Sequence, residues 1–366
     1  MNRAILGLVI ATLCGSTSPL GNAAGYSATT SSLKWTGLNS QSNTRHSSET
    51  AGRLIAQGAG VSFVPIRFSS GNISLQAKPG GNLDFNPRVA RPGYVKTHPR
   101  VLFDDAHNNA DTSVGRYGPF VDLIKNDGYR VTPTTGIFSS IQLRNYDVVV
   151  IVNPAGPGSQ REALAFTEAE CDAIHNFVSA GGALLLIIDH APYSSAVAGL
   201  SKRFGVQITN GYTFDTVQYD KGSGDETELL FTRDNGLLGT HPITNGRDSM
   251  EGINRIITYS GTSLKGPNGS VPLLRLADTA KDVLPPERKQ LKPDDPPPDH
   301  RPVSAAGRAQ GIAFSLGKGR VVVLGEAAMI TAQVDPRGLR FGMNVAGIDN
   351  RQLALNIMHW LTGLLK

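Results

Sequence analysis

Acidic residues and histidines recur at matching places in this 366-residue chain, each time just after a short apolar run. Val101-Leu102-Phe103 leads into Asp104-Asp105-Ala106-His107. Ala183 to Ile188 leads into Asp189-His190, and Val321 to Leu324 leads into Gly325-Glu326. A fourth run, Val148 to Val152, ends in Asn153. A carboxylate beside an imidazole can orient it, and the imidazole can then take or give a proton near neutral pH. Asp104, His107, Asp189, His190 and Glu326 are therefore the candidate catalytic residues. In that scheme one carboxylate orients a histidine, the histidine is the base, and Glu326 is the acid or a metal ligand. Asp105, Asn108, Asn153, Tyr193 and His241 are the candidate ligand-binding residues around them. Mixed carboxylate and imidazole donors suit a divalent ion. No HExxH, CxxC or close histidine pair supports one, so metal and cofactor stay open. The same residues also have a plainer reading, because Asp and Asn cap helices and fill strand-end turns in any protein.

The elements that must position these residues follow from the hydrophobic pattern. From Arg100 onward, apolar strands alternate with amphipathic helices. Tyr117, Phe120, Val121 and Ile124 share a helical face that stops at Gly128. Thr167-Glu168-Ala169-Glu170 reads as a capping box opening a helix that ends at Gly181-Gly182. Strands that are apolar on both faces belong in a parallel sheet covered by helices. The predicted class is α/β, an open, mostly parallel sheet with helices on both faces. Right-handed crossovers would bring the strand ends to one edge, where ligands of such sheets bind. Residues 212–310 interrupt the pattern with short β-hairpin pieces and the proline-rich run Pro293 to Pro298. The core returns at Gly311, turns at Gly317-Lys318-Gly319, and closes on a helix from Asp349 carrying Leu353, Ile357, Trp360 and Leu361.

Ahead of this domain the chain has a different character. Arg3 precedes the apolar run Ala4 to Leu13, and small residues lead to Ala23-Ala24. This predicts a Sec-type signal peptide over residues 1–24 and a periplasmic or extracellular protein. The apolar run is far short of the roughly 20 residues a membrane span needs. Leu13 stands where a lipidated Cys14 would need a small residue before it. Residues 25–98, rich in Ser, Thr, Asn and Gly, are expected to form a flexible arm of low order. The formal net charge is +5, but residues 99–366 carry 26 basic and 28 acidic side chains, so the excess lies in the leader and the arm. That distribution argues against a nucleic-acid-reading fold. Once the leader is removed, Cys171 is the remaining cysteine, and no intramolecular disulfide can form.

Three stretches resemble a known superfamily. They are Asp147 to Asn153, Phe166-Thr167-Glu168-Ala169-Glu170, and Phe177 through Gly181-Gly182 to Asp189. Together with Gly319 to Met329 and the helix Asp349 to Leu361, they look like the class I glutamine amidotransferase-like superfamily, in its GIFT-like branch. The resemblance covers about residues 100–210 and 304–365 and implies a flavodoxin-like sheet; the α/β domain is expected over residues 99–366, with the interruption at 212–310. Amidotransferases of this superfamily carry a Cys at a strand end with a partner His and Glu. Here no Cys follows a strand, so that activity does not carry over. No Gly-x-Ser-x-Gly elbow suggests a serine hydrolase. Three functions remain open. The first is a hydrolase-like or lyase-like enzyme for a small polar substrate, such as a carbohydrate or an amide. The second is a non-catalytic module that grips such a ligand. The third is an envelope structural protein whose basic arm meets anionic surfaces.

Overall fold

Runs such as Val148-Val-Val-Ile-Val152 have no polar face to offer water, so the chain buries them on both sides. The computed structural model describes residues 85–158, 160–285, 302–335 and 338–366. Apart from Pro285, these all fall in one contact-defined unit. The expected signal peptide and residues 25–84 of the expected arm lie outside them. The first half of the domain runs β1 (Arg100–Asp104), α1 (Gly118–Asn126), β2 (Arg130–Thr134), α2 (Ser140–Leu143), β3 (Val148–Val152), α3 (Glu168–Ser179), β4 (Ala183–Ile187), α4 (Tyr193–Ala196) and α5 (Ala198–Arg203). Short elements follow: β5 (Gln207–Ile208), β6 (Tyr212–Phe214), β7 (Leu230–Thr232), α6 (Pro242–Asn245), β8 (Arg255–Ile257), β9 (Leu264–Lys265), β10 (Val271–Arg275), β11 (Lys281–Val283) and β12 (Val303–Ser304). The chain closes with β13 (Ala309–Leu316), β14 (Gly319–Leu324), β15 (Ala332–Val334), β16 (Arg340–Gly342) and α7 (Asn350–Leu361).

The main sheet has the order β2-β1-β3-β4-β14-β13-β9-β5, and β10 also pairs with β13. Its first five strands are mutually parallel. The fold is therefore α/β with a largely parallel sheet, as the strand pattern predicts. The strands beyond β14 pair antiparallel, through the turn at Gly317-Lys318. Alternate strand residues separate into two cores. Val101, Phe103, Val150, Leu185 and Val322 pack with α1 and α7, while Leu102, Val149, Leu184 and Val323 pack with α3 and α5. That period-2 division is what helices on both faces require. The capping box of α3 is complete: Thr167 Oγ accepts from the Glu170 N–H, and the Glu170 carboxylate accepts from the Thr167 N–H.

The interruption is less separate than its sequence suggests. Val271–Arg275 joins the main sheet, while the stretches around Leu230 and Arg255 pair with each other as β7 and β8. The arm also ends earlier than residue 98, because residues 85–98 lie docked against the domain. The Gly93 N–H donates to Asp127 Oδ1 at 2.7 Å, the Tyr94 N–H donates to the Asp127 carbonyl, and the Tyr94 hydroxyl donates to Thr362 Oγ1 at 2.7 Å. Arg91 pairs with Asp248 at 2.7 Å. Low local hydrophobicity misled here, because this segment is held by polar groups spaced over the domain and by a few apolar side chains, Phe85, Val89 and Tyr94, packed on its core.

Gly128 fixes the approach of this strap. Its φ is +101°, and a Cβ there would lie 1.9 Å from the Tyr94 carbonyl oxygen. Gly128→Ala is expected to destabilise the domain by more than about 1 kcal/mol, since both backbone conformation and space oppose it. A urea midpoint equal to wild type would contradict this.

Candidate functional site

The parallel strands deliver Asp104, Asn153, Asp189 and Glu326 to one edge, but not into one contact shell. In the order β1-β3-β4-β14, three strand steps separate Asp104 from Glu326. At roughly 4.8 Å per step their backbones are about 14 Å apart. The candidate catalytic residues therefore form two groups, and the expected convergence of all five does not occur.

The first group is Asp104 and His107, joined by a residue that sequence reasoning missed in this role. His107 Nδ1 lies 2.7 Å from Asp104 Oδ1, and its Nε2 lies 2.9 Å from Glu170 Oε1. Both partners are carboxylate oxygens, which only accept, so an imidazolium donating from both nitrogens satisfies the arrangement. Burial pulls the His107 pKa down, but the bonds and charges of Asp104 and Glu170 outweigh it and raise the net value. Burial pushes Glu170 up, while its bonds from Thr167, His107 and Phe138 bring it below the ordinary carboxylate value. The ring packs against both Phe138 and Phe166, with centroids 5.1 and 4.4 Å away, and those two rings also meet each other. His107 is 8% exposed and Asp104 fully buried. This is a clamp with no free nitrogen. Glu170 was visible in the sequence as the last residue of a capping box, but nothing there showed that its carboxylate also crosses to His107.

Neighbouring candidates close loops. Asp105 accepts from the Ser113 N–H and hydroxyl at 2.8 and 2.5 Å. Asn108 donates to the Gly156 carbonyl at 3.0 Å. The Ala155 N–H donates to the His107 carbonyl, and the Ala110 N–H to the Asn153 carbonyl. At the crevice between β1 and β3, where the connection order reverses, the two loops are thus hydrogen-bonded to each other. His241 lies elsewhere: it caps α6 through Nδ1 and meets the Trp360 ring edge-on at 4.8 Å. Burial and the Arg320 charge push its pKa down to about 4, so it is neutral near pH 7. Its place against α7 removes it from the strand-end group; the Thr-His-Pro sequence reflects a helix cap.

The second group surrounds Asp189. Extending the β4–β14 register of Ile187 with Leu324 by two residues sets Asp189 beside Glu326. Asn153, at φ +40°, accepts from the Asp189 N–H through Oδ1 at 2.8 Å and donates from Nδ2 to Asp111 Oδ2, also at 2.8 Å. Asp111 also pairs with Arg116 at 3.2 Å. Neither was singled out from sequence, because both fall in the loop after Asp104 with no apolar run to mark them. Glu326 is fully buried and accepts from the Ala328 and Met329 N–H groups at 2.5 and 2.7 Å. Burial, then the Asp189 charge, push its pKa well up against the pull of those donors.

Asp189 and His190 face partly outward, with side chains 16% and 14% exposed. Burial, helped by the charge of Asp111, raises the Asp189 pKa, partly opposed by His190. His190 Nδ1 lies 2.7 Å from the Ala191 carbonyl oxygen and must donate to it. In the neutral ring this leaves the lone pair on Nε2, 4.0 Å from Asp189 Oδ1. The ring stacks on Tyr212 at 4.4 Å, which fixes its plane. Tyr193 is half-buried and receives a 3.4 Å hydrogen bond from Arg161 Nη1. Among the described residues, no cluster of three or more His, Cys, Asp or Glu could hold a metal ion. Cys171 is buried inside α3, and burial pushes its thiol up to about 11, so it is no nucleophile near neutral pH. A groove of about 1090 Å³ opens at the opposite edge, where β1, β3, β4 and β14 begin. Arg320 there meets the Trp360 and Leu365 carbonyls at and just beyond the end of α7, so part of its charge caps a helix end.

No family model matches the sequence, and no curated protein matches it. Solved structures similar to the chain include the mmIFT52 N-terminal domain, at 16% identity and a TM-score of 0.49 over 72% of this chain and 97% of that one. A ThuA-like protein from Bacteroides uniformis is 15% identical, with a TM-score of 0.38 over 76% of this chain and 95% of that one. A GMP synthase-like protein from Thermoplasma acidophilum is 10% identical, with a TM-score of 0.34 over 73% of this chain and 96% of that one. Likeness at this level says nothing of activity. The described helices include none long and apolar enough to cross a membrane.

Proposed function

We propose that the carboxyl edge around Asp189 and His190 is an acid–base site for a small polar or carbohydrate-like substrate, and that the protein is an exported hydrolase. One observation carries this reading. Asp189, its pKa raised, shares a partly open surface with a histidine whose Nε2 makes no hydrogen bond among the described residues. A raised pKa favours the protonated carboxyl, which can give its proton to a leaving oxygen or nitrogen. The His190 Nε2 can take a proton from the attacking water, while Ala191 and Tyr212 hold the ring in place. The bond from substrate carbon to leaving group breaks, and a carbon–oxygen bond to water forms. Asp104 and His107 stand outside this scheme, because their polar atoms are already bound to one another and to Glu170. Export rests on the leader-like sequence alone, and membership of the amidotransferase-like superfamily on the motifs quoted above.

The test uses chromogenic glycosides and anilides with the purified protein. Asp189→Asn and His190→Gln should each lower kcat/KM by about 100-fold or more. For wild type, the rate should fall as pH rises through the raised Asp189 value, since the acid form is required. If either variant hydrolyses the best substrate at the wild-type rate, the acid–base reading is wrong. Binding without turnover by wild type would instead favour a ligand-gripping module.

A further inference from the structure

The loop after β3 places a second cation beside this edge, and its guanidinium lacks an acidic partner among the described residues. Arg116 is taken up by Asp111, but Arg161 is not: among the described residues its guanidinium meets only the neutral Tyr193 hydroxyl, at 3.4 Å. Its backbone is held, because the Gly156 N–H donates to the Arg161 carbonyl and Asn108 donates to the Gly156 carbonyl. Tyr193 is tied to the acid–base residues in turn, since its N–H donates to the His190 carbonyl. Arg161, Asp111, Asp189 and Arg116 all act electrostatically on the Tyr193 hydroxyl. The cation therefore sits at the hydroxyl end of Tyr193, whose backbone is bonded to His190, on an exposed residue of a tied loop. The nearby carboxylate of Asp111 is already paired with Arg116 and accepts a hydrogen bond from the Asn153 amide.

We propose that the substrate of this site carries an anionic oxygen group, a carboxylate or a phosphate, and that Arg161 receives it beside the Tyr193 hydroxyl. This rests on the acid–base reading of Asp189 and His190. An arginine fork matches both groups, offering paired N–H donors to paired oxygens. A neutral sugar would leave the guanidinium with no anionic partner, meeting only the Tyr193 hydroxyl among the described residues. Arg161 is thus a specificity-determining residue, and it takes no part in proton transfer.

The test is calorimetric binding of glucuronate, glucose 6-phosphate and glucose to wild type, R161K, R161M and D189N. At least one anion should bind wild type 10-fold or more tightly than glucose, and which one it is separates carboxylate from phosphate. R161M should abolish the preference while leaving glucose binding and Tm unchanged, and R161K should keep part of it. D189N should keep the preference, since Asp189 does not hold the anion. If glucose binds wild type as well as both anions do, or if neither anion binds, the proposal is overturned. It is equally overturned if the preference survives R161M. Failure of the acid–base reading has a different signature, namely full turnover by D189N in the chromogenic assay.

Discussion

His107→Ala is expected to destabilise the domain by about 4 kcal/mol, the size seen when one partner of a buried ion pair is removed. Among the described residues, the substitution takes the only charged partner from Asp104, which has no exposure and keeps just the Ala106 and Asn109 N–H donors, and takes from Glu170 one of its four hydrogen bonds. It also opens a hole beside the Phe138 and Phe166 rings. The pH dependence separates the charge contribution from the packing loss. The His107 value is raised above its ordinary 6.5, so its contribution is full below 6.5 and fades as pH rises through the higher folded value. The Glu170 value is lowered from 4.5, so its contribution is full above 4.5 and fades as pH falls through the lower folded value. The difference between wild type and variant should therefore be largest between about pH 4.5 and 6.5, and smaller at pH 9. Urea unfolding at pH 5.5 and pH 9 measures it. A difference that is the same at both would mean the clamp is held by packing alone.

Glu326→Ala should cost about 3 kcal/mol. Both carboxyl oxygens accept backbone N–H groups at the tight turn Ala328–Ile330, and no water reaches them. Each buried donor left without a partner costs roughly 1–3 kcal/mol. Glu326→Gln restores one acceptor but turns an N–H₂ toward the other donor, so it should fall between alanine and wild type. Thermal unfolding of both variants checks this, with Tm lower by roughly 5–10 °C for the alanine variant. A variant with wild-type Tm would show that the turn finds other acceptors, and would leave the Glu326 carboxyl free for chemistry.

These two residues show why position alone misreads chemistry. Asp104, His107 and Glu326 have the right types at the right strand ends, yet their polar atoms are spent on holding the edge together. Asp189 and His190 have the same sequence signature, but only a short helix follows them, and they stay partly open. Arg161, Asp111 and Arg116 complete that surface from loops that have no periodicity, and a sequence pattern cannot locate a residue that has none.

The strands, their parallel pairing, the capping box of α3 and the delivery of acidic residues to one edge were determined by sequence. They follow from local rules: apolar runs must be buried on both faces, and Thr and Glu three residues apart satisfy the same helix end. Tertiary structure alone decided which strand ends are neighbours, and so which side chains meet. That choice placed three strand steps between Asp104 and Glu326, brought Glu170 across to His107, and sent His241 to the face of α7. It also docked residues 85–98, through hydrogen bonds to groups more than 30 residues away. Hydrogen bonds between distant residues leave no trace in the spacing of either partner, whereas burial leaves its period in every strand.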